Sequence, residues 1–312
     1  MKKITIIGPG RVGESTAQII AKAELCRELY LLGRHEGKAR GIALDVQESA
    51  PLFGFDTRVD GGADAAAMVD SELVIFTAGL PRKPGMSRSD LVDANLGVLR
   101  GAVDDVMRYA PNALLLIVTN PVDVLTYHAW RQSGWGRHRV FGLSGVLDSA
   151  RMASFIARET GFSVKDINTL VIGGHGDAMV PLTRYASING IPIEQFLDAD
   201  TIERLIEKTR QGGAEILALK ETSSAYDSPA ASIAAMVDAM ARTRRRILPC
   251  VAILDGEYGQ RDIAMGVPAV LSGSGVERVI ELPLVSGESE ALARSIAQLR
   301  ETLSQQEKNN GK

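Results

Sequence analysis

Short apolar runs alternate with stretches of helical period in the first half of the chain. The runs are apolar at nearly every position, which is typical of strands covered on both faces of a sheet. They predict strands at residues 3–7, 28–32, 56–60, 73–77, 113–119 and 139–142, with helices at 13–23, 37–49, 88–109 and 122–132. Because parallel strands need crossover connections, this alternation predicts an α/β fold with a doubly wound parallel sheet.

The pattern changes after about residue 145. It predicts a helix at 147–160, a strand at 167–172, helices at 200–220 and 228–241, an antiparallel pair at 247–254 and 263–271, and a last helix at 289–304. The polar tail, 305–312, is expected to fray. This half is α+β, so we expect two domains, at residues 1–145 and 146–312.

Composition excludes several functional classes. The 312 residues carry a net charge of −3 and are 45% hydrophobic, which argues against disorder and against a dedicated nucleic-acid binder. The basic run at 242–246 is expected to end a helix, where cations suit the helix dipole. No apolar segment is long enough for a membrane span. The two cysteines, Cys26 and Cys250, form no metal-binding motif, so no metal is expected. So few cysteines also indicate a reducing, cytoplasmic compartment.

A glycine-rich motif follows the first predicted strand and opens the first predicted helix. Gly8, Gly10 and Gly13, with Arg11 and Val12 between them, form G-x-G-x-x-G. In this context the glycines allow a tight turn, close approach of a pyrophosphate and close helix–strand packing. The motif predicts a Rossmann-type dinucleotide-binding domain at 1–145. The α+β half at 146–312 is then the expected catalytic/substrate domain.

The second predicted strand ends without the acid that usually binds the adenosine ribose. Gly33 stands in its place and Arg34 follows. Removal of the carboxylate removes its repulsion of a ribose 2′-phosphate, which Arg34 could bind bidentately. We therefore favour NADP over NAD. The alternative is that both are turn residues with weak cofactor discrimination.

Three further segments carry complementary chemistry. Asp148 and Arg151 lie at i and i+3 of a predicted helix, hence on one face. His175 lies in a glycine-rich loop, and Arg82 and Arg88 flank a Pro/Gly loop after the fourth strand.

These ordered motifs resemble the lactate/malate dehydrogenase family, especially its lactate-dehydrogenase-like malate dehydrogenases. The resemblance runs over nearly the whole chain. It is carried by residues 8–13, 77–79, 81–88, 118–121, 147–151, 175–177 and 247–257.

The resemblance implies a role for each polar residue. His175 would exchange a proton with the substrate C2 oxygen, and Asp148 would fix its tautomer and raise its pKa. Arg151 would hold the C1 carboxylate, and Arg88 would polarise the reacting carbonyl. Arg82 would pair with a second substrate carboxylate, which an apolar substrate lacks.

The remaining contacts are implied by the same resemblance. Asn120 would orient both substrate and nicotinamide, and Ser224 would line the pocket. Cofactor contacts would come from Gly8, Gly10, Arg11, Val12, Gly13, Gly33, Arg34, Thr77, Ala78, Gly79, Asn95, Val118 and Asn120.

The implied activity is reversible hydride transfer between (S)-malate and oxaloacetate with NAD(P). A lactate or other 2-hydroxy-acid dehydrogenase of the same fold is the alternative, and a cofactor-sensing module without turnover is a third. The implied partners are a small dicarboxylate and further copies of the chain, as a homodimer or homotetramer, without nucleic acid or membrane.

Overall fold

The computed structural model describes residues 1–80, 88–221 and 223–310. They form two compact units. The first contains Met1–Leu143, Tyr226–Ile247 and Val270–Arg278, and the second contains Ser144–Ala225, Leu248–Ala269 and the chain from Val279 onward. Each unit is therefore discontinuous in sequence, and a functional division at 1–145 and 146–312 stays a proposal.

The first unit alternates strands with helices. Its strands are β1 (Lys3–Ile7), β2 (Glu28–Leu32), β3 (Arg58–Gly62), β4 (Leu73–Phe76), β5 (Leu114–Ile117) and β6 (Val140–Gly142). Its helices are α1 (Arg11–Lys22), α2 (Glu36–Glu48), the short α3 (Ala50–Phe53), α4 (Arg88–Tyr109) and α5 (Val122–Ser133). The predicted strands and helices of this half are thus confirmed, with small shifts at their ends.

The six strands form a parallel sheet in the order β3-β2-β1-β4-β5-β6. Residues at both faces of β4 and β5 are buried, which explains why these strands are apolar throughout. Full burial of each aliphatic side chain contributes about 1.5–3 kcal/mol. The strand order reverses between β1 and β4, and such switch points bind ligands in open α/β sheets.

Strand β3 lies later in the sequence than the predicted strand at 56–60. It ends with Gly61 and Gly62, which pair with Leu31 and Leu32 of β2. A Cβ at Gly61 would lie 2.6 Å from the Ala39 carbonyl oxygen. Close packing of α2 on β3 therefore requires glycine in a strand, where the sequence pattern indicates a turn.

The second unit begins with helix α6 (Gly145–Thr160). It continues through strands β7 (Ile167–Asn168), β8 (Val171–Gly173), β9 (Met179–Pro181), β10 (Ser187–Ile188) and β11 (Ile191–Pro192) to helix α7 (Ala199–Lys220). Helix α8 (Asp227–Ala241) returns to the first unit, where it packs on α1. The chain ends with β12 (Arg246–Asp255), β13 (Arg261–Ser272), β14 (Gly275–Val279) and α9 (Ser286–Asn310).

The predicted single strand at 167–172 is wrong. Strand β7 joins a small antiparallel sheet with β10 and β11, whereas β8 pairs with β9 and β13. Between them, the Thr169 hydroxyl donates to the Ser149 carbonyl at 2.7 Å, and Val171 N–H donates to Ser149 Oγ at 3.0 Å. These bonds to α6 redirect the backbone, so one apolar run supplies two sheets.

The expectation of a frayed tail at 305–312 is wrong over most of its length, because α9 continues to Asn310. Leu303 and Gln306 are buried on this helix, so packing holds it at least as far as residue 306. Residues 311–312 lie outside the described part.

The basic run at 242–246 is largely ion-paired. Arg242 and Arg244 both bind Asp238, at 3.2 and 2.8 Å, and Arg245 binds Glu277 at 2.9 Å. These pairs neutralise much of the positive charge that a nucleic acid would require. Within the described residues, no helix combines the length and apolarity needed to cross a bilayer.

Candidate functional site

The carboxyl ends of the parallel strands lie level at one edge of the sheet. Ile7 of β1 pairs with both Leu32 of β2 and Phe76 of β4, and Phe76 pairs with Ile117 of β5. The segments that follow these four residues, beginning at positions 8, 33, 77 and 118, therefore start side by side. This register brings together the predicted cofactor-binding segments of the first unit.

Gly8 packs against the segment that follows β4. Its φ is +95°, and a Cβ there would lie 2.4 Å from the Ala78 Cα atom. A Cβ at Gly13 would lie 2.6 Å from the Gly8 carbonyl oxygen, which also accepts a 2.8 Å hydrogen bond from Thr77 Oγ1. The first and third glycines of the motif thus serve the turn and the packing of α1, as their spacing predicts.

Gly10 lies at the N-terminal end of α1 and faces open space. It is exposed, and a Cβ at this position would meet no atom within 4 Å. Arg11 and Val12 follow in the first helical turn, where backbone N–H groups lack intrahelical acceptors. An anionic pyrophosphate fits this arrangement, because the N–H groups and the helix dipole both favour negative charge.

Asn95 joins two of the loops at this edge. The side chain is buried, its Oδ1 accepts Leu80 N–H at 2.8 Å, and its Nδ2 donates to the Asn120 carbonyl at 2.9 Å. Thr119 Oγ1 donates to the Ala78 carbonyl at 2.7 Å, and a Cβ at Gly79 would lie 2.4 Å from Thr119 Cγ2. Asn95 therefore holds the backbone of two loops that contain predicted cofactor contacts. Position 79 requires glycine because these loops are in contact there.

The residue directly after β2 is Gly33, so no carboxylate lies at the position that usually binds the adenosine ribose. Gly33 N–H donates to the Gly62 carbonyl at 2.9 Å, and a Cβ at Gly33 would lie 3.1 Å from side-chain atoms of Pro9 and Ala39. The neighbouring Arg34 is exposed, and it makes no ion pair or hydrogen bond within the described residues. Its guanidinium is available for an anion outside the protein.

A buried carboxylate connects a histidine and an arginine in the second unit. Asp148, in the first turn of α6, is 1% exposed. Its Oδ2 lies 2.8 Å from His175 Nδ1, and its Oδ1 accepts from Arg151 Nη1 at 3.2 Å. The three predicted residues therefore meet in one cluster, because the helical spacing brings Asp148 and Arg151 together and the β8–β9 loop adds His175.

Arg151 retains donor capacity beyond its bond to Asp148. Its Nε is buried and has no hydrogen-bond partner among the described residues. A guanidinium offers five N–H donors in a planar fork, and a buried donor without a partner is costly. A bound carboxylate would satisfy such donors, so the chemistry of Arg151 fits an acidic ligand.

Two adjacent glycines in the interior of α7 face Arg151. A Cβ at Gly212 would lie 3.4 Å from Arg151 Cδ, whereas a Cβ at Gly213 would lie 3.7 and 3.8 Å from the two terminal nitrogens. Both distances are ordinary contacts, so alanine would fit at either position. Each glycine costs a helix about 1 kcal/mol relative to alanine. Neither packing nor helix formation explains this pair, but glycine at position 213 leaves the space beside the two terminal nitrogens free of a side chain.

Other predicted residues lie apart from these clusters or outside the described structure. Arg82 lies outside the described residues; Arg88 is the first residue of α4, and its side chain lies outside the described part. Ser224 is exposed. The described residues contain no group of three or more His, Cys, Asp or Glu side chains suited to a metal ion.

Two family models together match almost all of the chain. One, described as the NAD binding domain of lactate/malate dehydrogenase, matches residues 2–142, and the other, its alpha/beta C-terminal domain, matches residues 145–310. The chain belongs to the lactate/malate dehydrogenase family. The family resemblance and the fold class expected from the sequence are both confirmed, and the family's first domain is one that binds a nicotinamide cofactor.

Individual family members are similar over nearly their whole lengths. A protein of Thioalkalivibrio sulfidiphilus named malate dehydrogenase is 63% identical, covering 97% of this chain and 99% of that relative. The structure of the Picrophilus torridus malate dehydrogenase has a TM-score of 0.95 at 38% identity, covering 97% of this chain and 96% of that one. A Cryptosporidium parvum lactate dehydrogenase, solved with lactic acid and nicotinamide adenine dinucleotide, has a TM-score of 0.93 at 36% identity, covering 97% of each chain.

Sequence reasoning missed two features of the second unit. The glycine pair at 212–213 carries a detectable signal, since adjacent glycines are unfavourable inside a stretch of helical period. The other is Ser295 of α9, whose Oγ accepts Gly174 N–H at 2.8 Å. No local pattern indicates this contact, because its two residues are 121 positions apart.

Proposed function

We propose that the chain is a malate dehydrogenase that catalyses reversible hydride transfer between (S)-malate and oxaloacetate. The observation that carries the proposal is the buried Asp148 carboxylate, which binds His175 with one oxygen and Arg151 with the other. The malate dehydrogenase names of relatives such as that of T. sulfidiphilus support the same substrate.

His175 is the proposed acid/base. Its Nδ1 lies 2.8 Å from Asp148 Oδ2, and its Nε2 would exchange a proton with the C2 oxygen of the substrate. In oxaloacetate reduction the imidazolium donates this proton, and in malate oxidation the neutral imidazole accepts it. The Asp148 carboxylate holds the ring in one tautomer and stabilises its charged form.

Arginines supply the proposed contacts with the dicarboxylate. Arg151 holds the C1 carboxylate through its fork of N–H donors. Arg82 pairs with the second carboxylate, and Arg88 polarises the C2 carbonyl. Asn120 orients the substrate beside the cofactor, while Ser224 contributes to the pocket wall. Because pyruvate would leave Arg82 without a partner, the arginine also disfavours the smaller substrate.

The nicotinamide cofactor, when bound, donates or accepts the hydride. Gly8, Gly10 and Gly13, with Arg11 and Val12, would hold its pyrophosphate over the N-terminal end of α1. Thr77, Ala78, Gly79, Val118 and Asn120 would contact its nicotinamide half, and Asn95 would brace their loops.

We propose that the cofactor is NADP rather than NAD. At the end of β2, Gly33 removes the acid that would repel a 2′-phosphate, and the exposed Arg34 could bind that phosphate. The alternative is weak discrimination between the two cofactors. Wild-type kcat/KM values for NADPH and NADH decide between these, and a strong preference for NADH would refute the role of Arg34.

Steady-state reduction of oxaloacetate, pyruvate and longer 2-oxoacids tests the substrate. We expect kcat/KM for oxaloacetate to exceed that for pyruvate by at least about 100-fold, because a guanidinium that loses water on substrate binding without gaining a carboxylate partner is strongly disfavoured. Comparable values would favour the lactate dehydrogenase alternative. His175→Ala should lower kcat by about 100-fold or more while cofactor binding survives; near-wild-type turnover would refute the mechanism.

We further propose a homodimer or homotetramer in a reducing, cytoplasmic compartment. Leu44, Leu52 and Phe53 of the first unit are 58%, 87% and 45% exposed, and neighbouring large apolar side chains commonly mark contact surfaces. Cys26 and Cys250 are free and buried, which suits a reducing compartment. Sedimentation equilibrium measures the subunit count, and a monomer at micromolar concentration would contradict the oligomer.

A further inference from the structure

The loop that carries His175 is a hairpin connection. It leaves β8 at Gly173 and enters β9 at Met179, and these two residues are paired. His175 is the second residue of this connection. Its orientation therefore depends on how the backbone at Gly174 and Gly176 is held.

On one side of His175 the backbone is fixed by the last helix. Ser295 of α9 is 2% exposed, and its Oγ accepts the N–H of Gly174 at 2.8 Å. A Cβ at Gly173 would lie 3.0 Å from Ser295 Oγ, and one at Gly174 would lie 3.3 Å from it. The hydroxyl thus bonds Gly174 and occupies the space that a side chain at Gly173 would need.

On the other side the backbone is held within the hairpin itself. Gly176 has a φ of +115°, and a Cβ there would meet no atom within 4 Å. Its carbonyl accepts Met179 N–H at 3.0 Å. Ser295 therefore holds the loop from outside the hairpin at Gly174, next to the imidazole.

We propose that Ser295 is a positioning residue for His175. It acts through the Gly174 N–H and keeps the imidazole in place beside Asp148. This inference rests on the proposed acid/base role of His175. A displacement of about 1 Å in such a group can lower turnover by about 100-fold, so loss of one buried acceptor should be visible in kcat.

Ser295→Ala tests the proposal because it removes the acceptor and leaves the helix intact. We expect kcat for oxaloacetate reduction to fall about tenfold or more, with an unchanged KM for the cofactor, whose proposed contacts lie in the first unit. Ser295→Thr keeps the hydroxyl and should restore kcat. Thr302→Ala is the matched control, since its hydroxyl bonds only the Gln298 carbonyl of the same helix.

A second measurement does not depend on turnover. The imidazole of His175, followed by NMR through a pH titration, should titrate at a lower pH in Ser295→Ala than in the wild type. Displacement from Asp148 weakens stabilisation of the charged ring. If Ser295→Ala fails to fold, Ser295→Cys replaces it, because a thiol is a weaker acceptor of similar shape, and its kcat should fall less steeply.

A lower melting temperature with wild-type kcat and an unchanged His175 titration would overturn the proposal and leave Ser295 with a purely structural role. Failure of the proposed function gives a different result. In that case the wild type would not reduce oxaloacetate, while the His175 titration would still differ between the wild type and Ser295→Ala.

Discussion

His175 Nδ1 lies 2.8 Å from Oδ2 of Asp148, and that carboxylate is almost fully buried. A buried carboxylate cannot exchange this contact for water without cost, so the pair has one favoured geometry. The same carboxylate binds Arg151, which ties the proposed proton donor and the proposed carboxylate-binding group to a single side chain.

Asp148→Asn should therefore change the pH dependence as well as the rate. Without the carboxylate the imidazolium is less stabilised, so the His175 pKa falls relative to the wild type. Oxaloacetate reduction needs the protonated ring, so the alkaline limb of its pH profile, where activity is lost as the ring deprotonates, should move to lower pH. The measurement is kcat/KM against pH, with Asp166→Asn, an exposed carboxylate of the same unit, as control. An unmoved profile would contradict the role of Asp148.

Gly213→Ala should separate stability from substrate binding. Alanine strengthens the interior of α7 by about 1 kcal/mol, which should raise the melting temperature. The added methyl would lie over both terminal nitrogens of Arg151, so the KM for oxaloacetate should rise roughly tenfold.

Gly212→Ala is the matched control for this prediction. Its methyl would touch Arg151 Cδ rather than the terminal nitrogens. It should raise the melting temperature similarly, with a smaller change in KM. Equal KM values for the two variants would show that the space over the guanidinium has no role.

Arg34→Ser should reduce use of the phosphorylated cofactor selectively. A charge-assisted hydrogen bond is worth about 1.5–3 kcal/mol, so kcat/KM for NADPH should fall roughly 10- to 100-fold while that for NADH changes little. Arg40→Ser, whose guanidinium pairs with Glu36 at 3.5 Å, is the control. Equal losses with both cofactors would indicate a general effect on the fold.

Gly33→Asp would introduce the acid that usually binds the adenosine ribose. It is a less direct test of cofactor preference than the sequence indicates. It should shift preference towards NADH, but its Cβ would lie 3.1 Å from Pro9 and Ala39. Because Pro9 is part of the proposed phosphate-binding turn, a general loss of cofactor affinity should accompany the shift.

The two thiols should resist labelling in the native protein. Burial raises the pKa of Cys26 and of Cys250 to about 12, from 9.0. The thiolate is the reactive form, so at pH 8 a disulfide reagent should modify neither thiol until denaturant is added. Stability should also fall as pH rises from about 9 to about 12, because the unfolded chain loses these protons first. Rapid labelling of native protein would contradict this.

The parallel sheet was predictable because its strands are buried on both faces. Continuous apolar runs predict the positions of β4 and β5, and the spacing between such runs predicts the crossover helices. The prediction failed where packing between distant segments decides the backbone. Gly61 lies in a strand that α2 approaches closely, and Ser149 divides one apolar run between two sheets.

The candidate site shows the same distinction. Asp148 and Arg151 share a helix face, which their spacing reveals. Only the family resemblance predicted their contact with His175, since no local sequence pattern shows which helix a hairpin loop lies against. Ser295 and Gly174 touch only in the folded chain, so neither residue carries a local sign of the contact.

The return of α8 to the first unit matters for recombination between relatives. A chimaera with one crossover near residue 145 would take α1 from one parent and α8 from the other, although these helices pack on each other. Exchange of the nucleotide-binding unit would need at least the 226–247 segment to travel with it. Modular exchange in this architecture is therefore constrained by a helix pair rather than by the apparent boundary in the sequence.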